Sequence, residues 1–416
     1  MIYDILKQFM FVFIVAVFMM SCVSDDNSKT LKVAINAGPE GEAVKILAQE
    51  YSENKIEIIA LPYSTLREQL MTTLSTKKSD FDIIMVDDPW LPQLAKNLQE
   101  LKNVPDSLLS DFVASSLNLC KYPYKSGELF ALPLVGNTQL LFFREDILDS
   151  LEIGDISNNW RDIALLANSI SKNNKSNNLY GYAIRGRSGA PIVTDFLPIY
   201  WSLGGKLVDD VGNPKRENIS PEIYVEALKI YKILKNSSPP GASNFDWSEM
   251  TSSFTNGQSI FQLNWPAGIP LIDSSIVKQT GKRGWKIKLP PGNNNSKGTS
   301  MIGNWLLSIP KASNNAREAE KFIIWIMQSQ DKVASAGNPP TRISVFNKLA
   351  EQPDKYYFTT ILEALENSTP RVRSIHWSKI EEVISFSVSK YIIDDMTEEE
   401  ALNIAKSEIN KIFPRY

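Results

Sequence analysis

Apolar and polar positions set out the N-terminal third as alternating strands and helices. Residues 31–37 (LKVAINA) alternate and then meet Gly38-Pro39, which predicts a strand followed by a helix over 40–52. IEIIALPY (56–63) predicts a second strand. Ser64 is the expected cap of a helix whose apolar positions Leu66, Leu70, Met71 and Leu74 keep helical spacing. The apolar run 81–86 predicts a third, buried strand that ends in Asp87-Asp88-Pro89-Trp90. Strand and helix in alternation with short loops is the pattern of a parallel α/β domain. Such sheets bind ligands beyond the carboxyl ends of their strands, where Glu40, Tyr63 and Asp88 fall.

The stretch GELFALPLVGNTQLLFFRED (127–146) has a different design. Two short apolar runs, 129–135 and 140–143, are separated only by Gly136, Asn137, Thr138 and Gln139. Runs this short and apolar predict buried strands, and the polar break between them predicts a crossing from one domain to another. Further on, 159–172 predicts an amphipathic helix and 180–187 a strand. TDFLPIYWSL (194–203) is another apolar element, and Ser220-Pro221 opens a helix reaching residue 234. Strands are predicted at 260–264 and 301–310, with an exposed Gly/Asn/Pro-rich excursion over 282–299 between them. From residue 315 onward the pattern is mostly helical.

A chain of 416 residues is long enough for two or three domains. A net charge of −3 gives no electrostatic footprint for nucleic acid or for an anionic membrane surface. The single histidine, His376, excludes most histidine metal sites and triads. The apolar run 9–20 has the length of a signal-peptide core and is too short to cross a bilayer, which takes about 20 residues. Ser21-Cys22 follows it and resembles a bacterial lipobox, in which Cys22 becomes the lipidated N-terminus. Met19 stands where that motif usually has leucine, and a plain secretory signal cut elsewhere is the other reading. VSDDNSKT then reads as a polar tether. With Cys22 lipidated, Cys120 has no disulfide partner within the chain.

Several segments carry a family resemblance. Besides 127–146 they are VDDPWLPQL, YGYAIRGRSG with FLPIYWSLGG, SPPGASNFDW, FQLNWPAG, GNWLLSIPKAS, NPPTR and PRVRSIHWSKIEE. In this order, over nearly the whole mature chain, they resemble the extracytoplasmic solute-binding proteins of ABC importers, and within them the sugar-binding, maltose- and polyol-binding-like group. The resemblance implies an α/β fold of the periplasmic-binding-protein type II, with two lobes joined by crossing hinge strands and a ligand cleft between them. It divides the chain into a signal peptide (1–21), a lipidated tether (22–30), lobe 1 (31–136), lobe 2 (137–263), a return to lobe 1 (264–310) and a helical part packing on lobe 2 (311–416). The crossings are expected near 136–143, 260–265 and 306–311.

A neutral sugar offers hydroxyls and an apolar ring face, so its site needs aromatic plates and planar polar side chains. Trp265 and Trp305 are the candidate plates, each at a strand end beside small residues; Trp90 is a third, and all three could instead be core. Asp88 could accept from hydroxyls or cap a helix at Pro89. Asn137 falls at the family's contact position on the first crossing, or is a turn residue. Arg185 and Arg187 could bond bidentately from lobe 2 or form a solvated rim. Arg342, after Pro339-Pro340, and Glu40, in a helix's first turn, complete the candidates with Tyr63.

The sequence holds no G-x-x-x-x-G-K-[ST], no G-x-G-x-x-G, no HExxH and no Cys-x-x-Cys. ATP hydrolysis is therefore expected from another chain, with no cofactor or metal here. Tyr356-Tyr357 is read as packing. The expectation is a monomeric binding protein, anchored only by its lipid, that delivers a sugar, oligosaccharide or sugar alcohol to an ABC permease. The alternatives are an exported carbohydrate-active enzyme and a surface lipoprotein for sensing or adhesion on the same fold.

Overall fold

The computed structural model describes residues 30–76, 79–293 and 298–413. The expected signal segment and Cys22 lie outside the described residues. The chain opens with β1 (Thr30–Asn36), α1 (Pro39–Glu50), β2 (Lys55–Leu61), α2 (Tyr63–Ser75) and β3 (Ile83–Asp87). It continues through short helices to β4 (Ala131–Val135) and β5 (Leu140–Phe143). Then come α3 (Trp160–Asn174), β6 (Tyr180–Tyr182), α4 (Ala190–Ser202), α5 (Pro221–Asn236), α6 (Trp247–Thr255) and β7 (Ser259–Asn264). The last part is α7 (Ile269–Thr280), β8 (Lys286–Lys288), β9 (Trp305–Ser308), α8 (Ala316–Gln328), α9 (Ile343–Ala350), α10 (Tyr357–Glu366), α11 (Trp377–Ile392) and α12 (Glu398–Ile412).

Two sheets result. The first has the order β2-β1-β3-β9-β4, with β1, β2 and β3 parallel and β9 antiparallel to both β3 and β4. The second has the order β8-β5-β7-β6. Helix α3 begins as expected at residue 159, where the Asn159 side chain accepts from Arg161 N at 2.8 Å. One local expectation is corrected: α2 starts one residue before Ser64, with Pro62 at its N-cap and no side-chain cap. The apolar element expected at 194–203 is the second half of α4.

The lobes also divide differently from the expected boundaries. Thr138 bridges Ile302 and Met301 bridges Thr369, so three connector segments lie side by side, near 136–139, 300–304 and 367–371. The first coincides with the expected crossing. Residues 260–264 instead belong to β7 inside the second sheet, with Trp265 directly after it, and 306–311 begin inside β9 of the first. The stretch 264–310 does not return as a unit, because β8 pairs with β5 before the chain crosses back. Of the C-terminal helices, α8 packs in the first lobe's core, with Phe322, Ile323 and Ile326 beside β-strand residues. α9 and α10 cover one face of the second sheet, and α11 and α12 join its main core. A strand that ends a sheet and a strand that leaves it are equally apolar; only hydrogen-bond partners distinguish them.

Candidate functional site

Parallel pairing places the carboxyl ends of β1, β2 and β3 on one edge of the first sheet, with Asn36 level with Leu61. Asn36, Tyr63 and Asp87 therefore emerge together. Antiparallel β9 begins at the same edge, where Trp305 stands opposite Asp87. In the second sheet β6 and β7 are parallel, so the loops after Tyr182 and after Asn264 also leave from a common edge. They carry Arg185, Arg187 and Trp265. The two edges face each other across a cavity of about 590 Å³. Across the mouth, Arg67 of α2 donates to Ser378 of α11, and Gln93 donates to the Ile375 carbonyl at 2.8 Å.

Seven of the ten sequence candidates line this cavity: Glu40, Tyr63, Asn137, Arg185, Arg187, Trp265 and Trp305. On the first lobe's wall, Tyr63 lies edge-on to Trp305, ring centroids 5.9 Å apart. Trp90 packs behind both, 5.0 Å from Tyr63 and 5.8 Å from Trp305, and is buried. Trp90 therefore backs these two rings and does not line the cavity. Asn137, on the first connector, donates to Glu40 at 3.3 Å and accepts from Ala267 N at 3.2 Å, so a single amide ties both walls together. Burial in the wall pushes the Glu40 carboxyl above the ordinary carboxylate range.

Two further candidates lie elsewhere. Asp88 is fully buried beneath the cleft, where it accepts from Arg371 at 2.7 Å and Arg373 at 2.9 Å. Its neighbour Asp87 is the one that lines the cavity. Arg342 points away from it. It pairs with Asp111 at 2.7 Å and donates to the carbonyls of Met327 and Gln328, which fastens the start of α9 to the first lobe.

The sequence reading missed Asp87, Asp246, Trp247 and Arg371 as cleft residues. Asp246-Trp247 and Arg371 do stand within resembling segments, SPPGASNFDW and PRVRSIHWSKIEE. No residue pattern there separates a cleft residue from a cap or a core residue. Asp246 caps α6 and also takes both arginines, Arg185 at 2.7 Å and Arg187. Its burial would raise the carboxyl, but the two guanidiniums outweigh that and hold it below the usual range. Trp247 donates its indole N–H to Asn264 at 2.9 Å and lines the cavity.

Arg185 is further fixed by Asp195, which lies behind it and is fully buried. One carboxylate oxygen of Asp195 accepts from Arg185 N at 3.0 Å, while the other has no hydrogen-bond partner among the described residues. Burial raises this carboxyl to about 7. The folded state then holds a proton that the unfolded chain releases near pH 4, so this contribution to stability is lost as pH rises through 7. Asp195→Asn should remove that loss. Urea denaturation should show the variant gaining on the wild type by about 2–4 kcal/mol between pH 4 and pH 8. A difference independent of pH would contradict the assignment.

Residues 36–333 match the family model described as bacterial extracellular solute-binding protein. Maltose-bound MalE3 of T. maritima superposes with a TM-score of 0.80 at 25% identity, covering 92% of this chain and 99% of that one. A solute-binding protein of Agrobacterium radiobacter in complex with ribitol shares the fold at 20% identity, with a TM-score of 0.80 and coverage of 92% and 98%. A probable amino-acid ABC transporter periplasmic-binding protein of Sinorhizobium fredii is 22% identical over 76% of this chain and 74% of its own length. With two α/β lobes, three connectors and a cleft at the strand ends, the chain belongs to the bacterial extracellular solute-binding protein family and is an extracytoplasmic binding protein of the ABC-transporter type.

Proposed function

We propose that the cleft captures a saccharide or sugar alcohol without net charge and that the loaded protein delivers it to an ABC permease. The observation that carries this reading is the pairing of aromatic faces with cancelled charge. Trp305 and Tyr63 line one wall, Trp265 and Trp247 the other. The charged groups at the cavity are Glu40, Asp87 and Asp246 against Arg185, Arg187 and Arg371, three of each sign. Asp87 and Asp246 are held by arginines and Glu40 by the amides of Asn36 and Asn137, so the polar groups of each wall are planar and already hydrogen-bonded within the protein. The maltose in MalE3 and the ribitol in the Agrobacterium protein support the same class.

Ligand contacting both walls stabilises the closed arrangement by its differential affinity, with rotation taken up at the three connectors. The protein works as a monomer held at the membrane by a lipid on Cys22, and the ATPase is a separate chain. Among the described residues no helix is long and apolar enough to cross a membrane. An amino acid is the second reading, favoured by the name of the S. fredii relative. Its ammonium and carboxylate would have to displace existing ion pairs.

A thermal-shift panel on the chain beginning at Ser24 decides between them, using mono- and oligosaccharides, polyols, amino acids, peptides and iron. A ligand at a hundred times its Kd adds about 2.7 kcal/mol to stability, enough to raise Tm measurably. A shift confined to carbohydrate or polyol is expected. A shift with amino acids alone would overturn the saccharide reading and leave the fold untouched.

A further inference from the structure

Trp265 belongs to the second lobe by sequence, since it follows β7 directly, yet its ring rests on a connector. A Cβ placed on Gly303 would stand 2.6 Å from both Cζ3 and Cη2 of Trp265 and 3.5 Å from Cε3. The benzo edge of the indole thus lies against bare backbone. Nothing in the conformation of Gly303 requires glycine, because its φ lies outside the left-handed range. What requires it is space. Gly303 N also donates to the Asn137 carbonyl at 2.9 Å, which ties this seat to the first connector. Two residues later, where β9 begins, comes Trp305 on the opposite wall.

We propose that Gly303 is a specificity-determining residue: it seats the Trp265 plate and so sets how deep the cleft is for a sugar ring. This rests on the saccharide reading above. The clash that a side chain at 303 creates is with the far end of a partly buried side chain that lines the cavity. The ring can give way only by tilting into the cavity, toward the ligand's place and away from the connector. Gly136, on the first connector, has a different limit. There a Cβ would meet the Pro340 carbonyl oxygen at 2.2 Å, and backbone cannot yield in the same way. Gly268 makes a milder version of the seat, with Cζ2 of Trp247 at 3.1 Å from its would-be Cβ. Both tryptophans of the second wall are therefore positioned by glycine, and only Trp265 is positioned by the hinge itself.

The physical consequence is directional. A lifted plate removes room where a ring would lie flat, and a flat ring loses more from that than a flexible chain of hydroxyls. Residue 303, which itself lines the cavity, would then discriminate cyclic saccharides from linear polyols through the plate it seats.

The experiment is a double-mutant cycle of Gly303→Ala and Trp265→Phe in the full mature chain, read first by urea denaturation without ligand. Phenylalanine lacks the atoms that meet position 303. Gly303→Ala should therefore lower the urea midpoint when Trp265 is intact and leave it nearly unchanged in the Trp265→Phe background. If Gly303→Ala fails to fold alone but folds with Trp265→Phe, the seat is supported. Equal losses in both backgrounds, or failure of both variants to fold, would overturn it. This arm needs no ligand, so it stands apart from the saccharide reading. In the second arm, calorimetry with maltose and with ribitol should show Gly303→Ala weakening maltose by about tenfold and ribitol by less. Equal weakening would remove the specificity claim even with the seat intact. If neither compound binds the wild type, the saccharide reading is what loses ground, and the seat is judged on the cycle.

Discussion

Replacing Arg371 with methionine should cost about 3–5 kcal/mol of folding stability, the largest loss expected from any single change at this cleft. Arg371 leaves the third connector and forks between Asp87, at 2.7 and 3.2 Å, and Asp88, at 2.7 Å. Arg373 holds the far side of Asp88. All four side chains are buried, so the pairs are short of water and each charge depends on its partners. Methionine fills the volume but leaves two adjacent carboxylates facing one guanidinium. Lysine should rescue only part of the loss, since one ammonium cannot bond both acids in the planar geometry of the fork.

The defect should depend on pH with a definite sign. Burial already lifts Asp88 to about 6 against the pull of Arg371. Without Arg371 the folded state gains still more from holding a proton, so the variant's stability falls as pH rises through 6 and beyond. The gap to the wild type should be smaller at pH 5 than at pH 8 in urea melts. A gap that widens on acidification would show that Arg371 acts by something other than charge compensation.

Trp265→Ala should weaken the proposed ligand by at least about thirtyfold, or 2 kcal/mol, the scale of an aromatic hot spot. The Tm of the unliganded protein should fall less than in Trp305→Ala, because this side chain is only partly buried and its indole edge rests on glycine. Trp305→Ala offers the contrast. That ring is 6% exposed and packed on Tyr63 and Trp90, so its removal should lower both affinity and Tm. Titration calorimetry with the ligand found in the thermal panel, alongside thermal melts, separates the two cases. Unchanged affinity in Trp265→Ala would remove it from the binding surface.

Much of the fold could be read from the chain because its signals are local. The apolar runs at 81–86, 129–135 and 140–143 became β3, β4 and β5, and the polar break at Gly136 to Gln139 lies at a connector. Strand-end position was also enough to bring Glu40, Tyr63, Trp265 and Trp305 to one cavity, since parallel strands carry their ends to one edge. Asp87 and Asp88 mark the limit of that logic. They are consecutive at a strand end, where successive side chains need not face the same way. One lines the cleft and the other is buried against two arginines that lie 283 and 285 residues further along the chain.

The sequence by itself determined most of the strands and helices, though not β8 inside the expected excursion 282–299, that they alternate as in an α/β protein, and which family they resemble. All of these follow from periodicity and from order along the chain. Only the tertiary structure decided that 260–264 stays within the second sheet, that β8 joins it before the chain crosses back, and that Arg342 braces a helix. It alone brought Arg371 under Asp87 and set Trp265 on Gly303. The reason is the same in each case. Hydrogen-bond partnership between strands, ion pairing and the space beside a glycine are relations between residues far apart in the chain, and no single residue's type or spacing carries them.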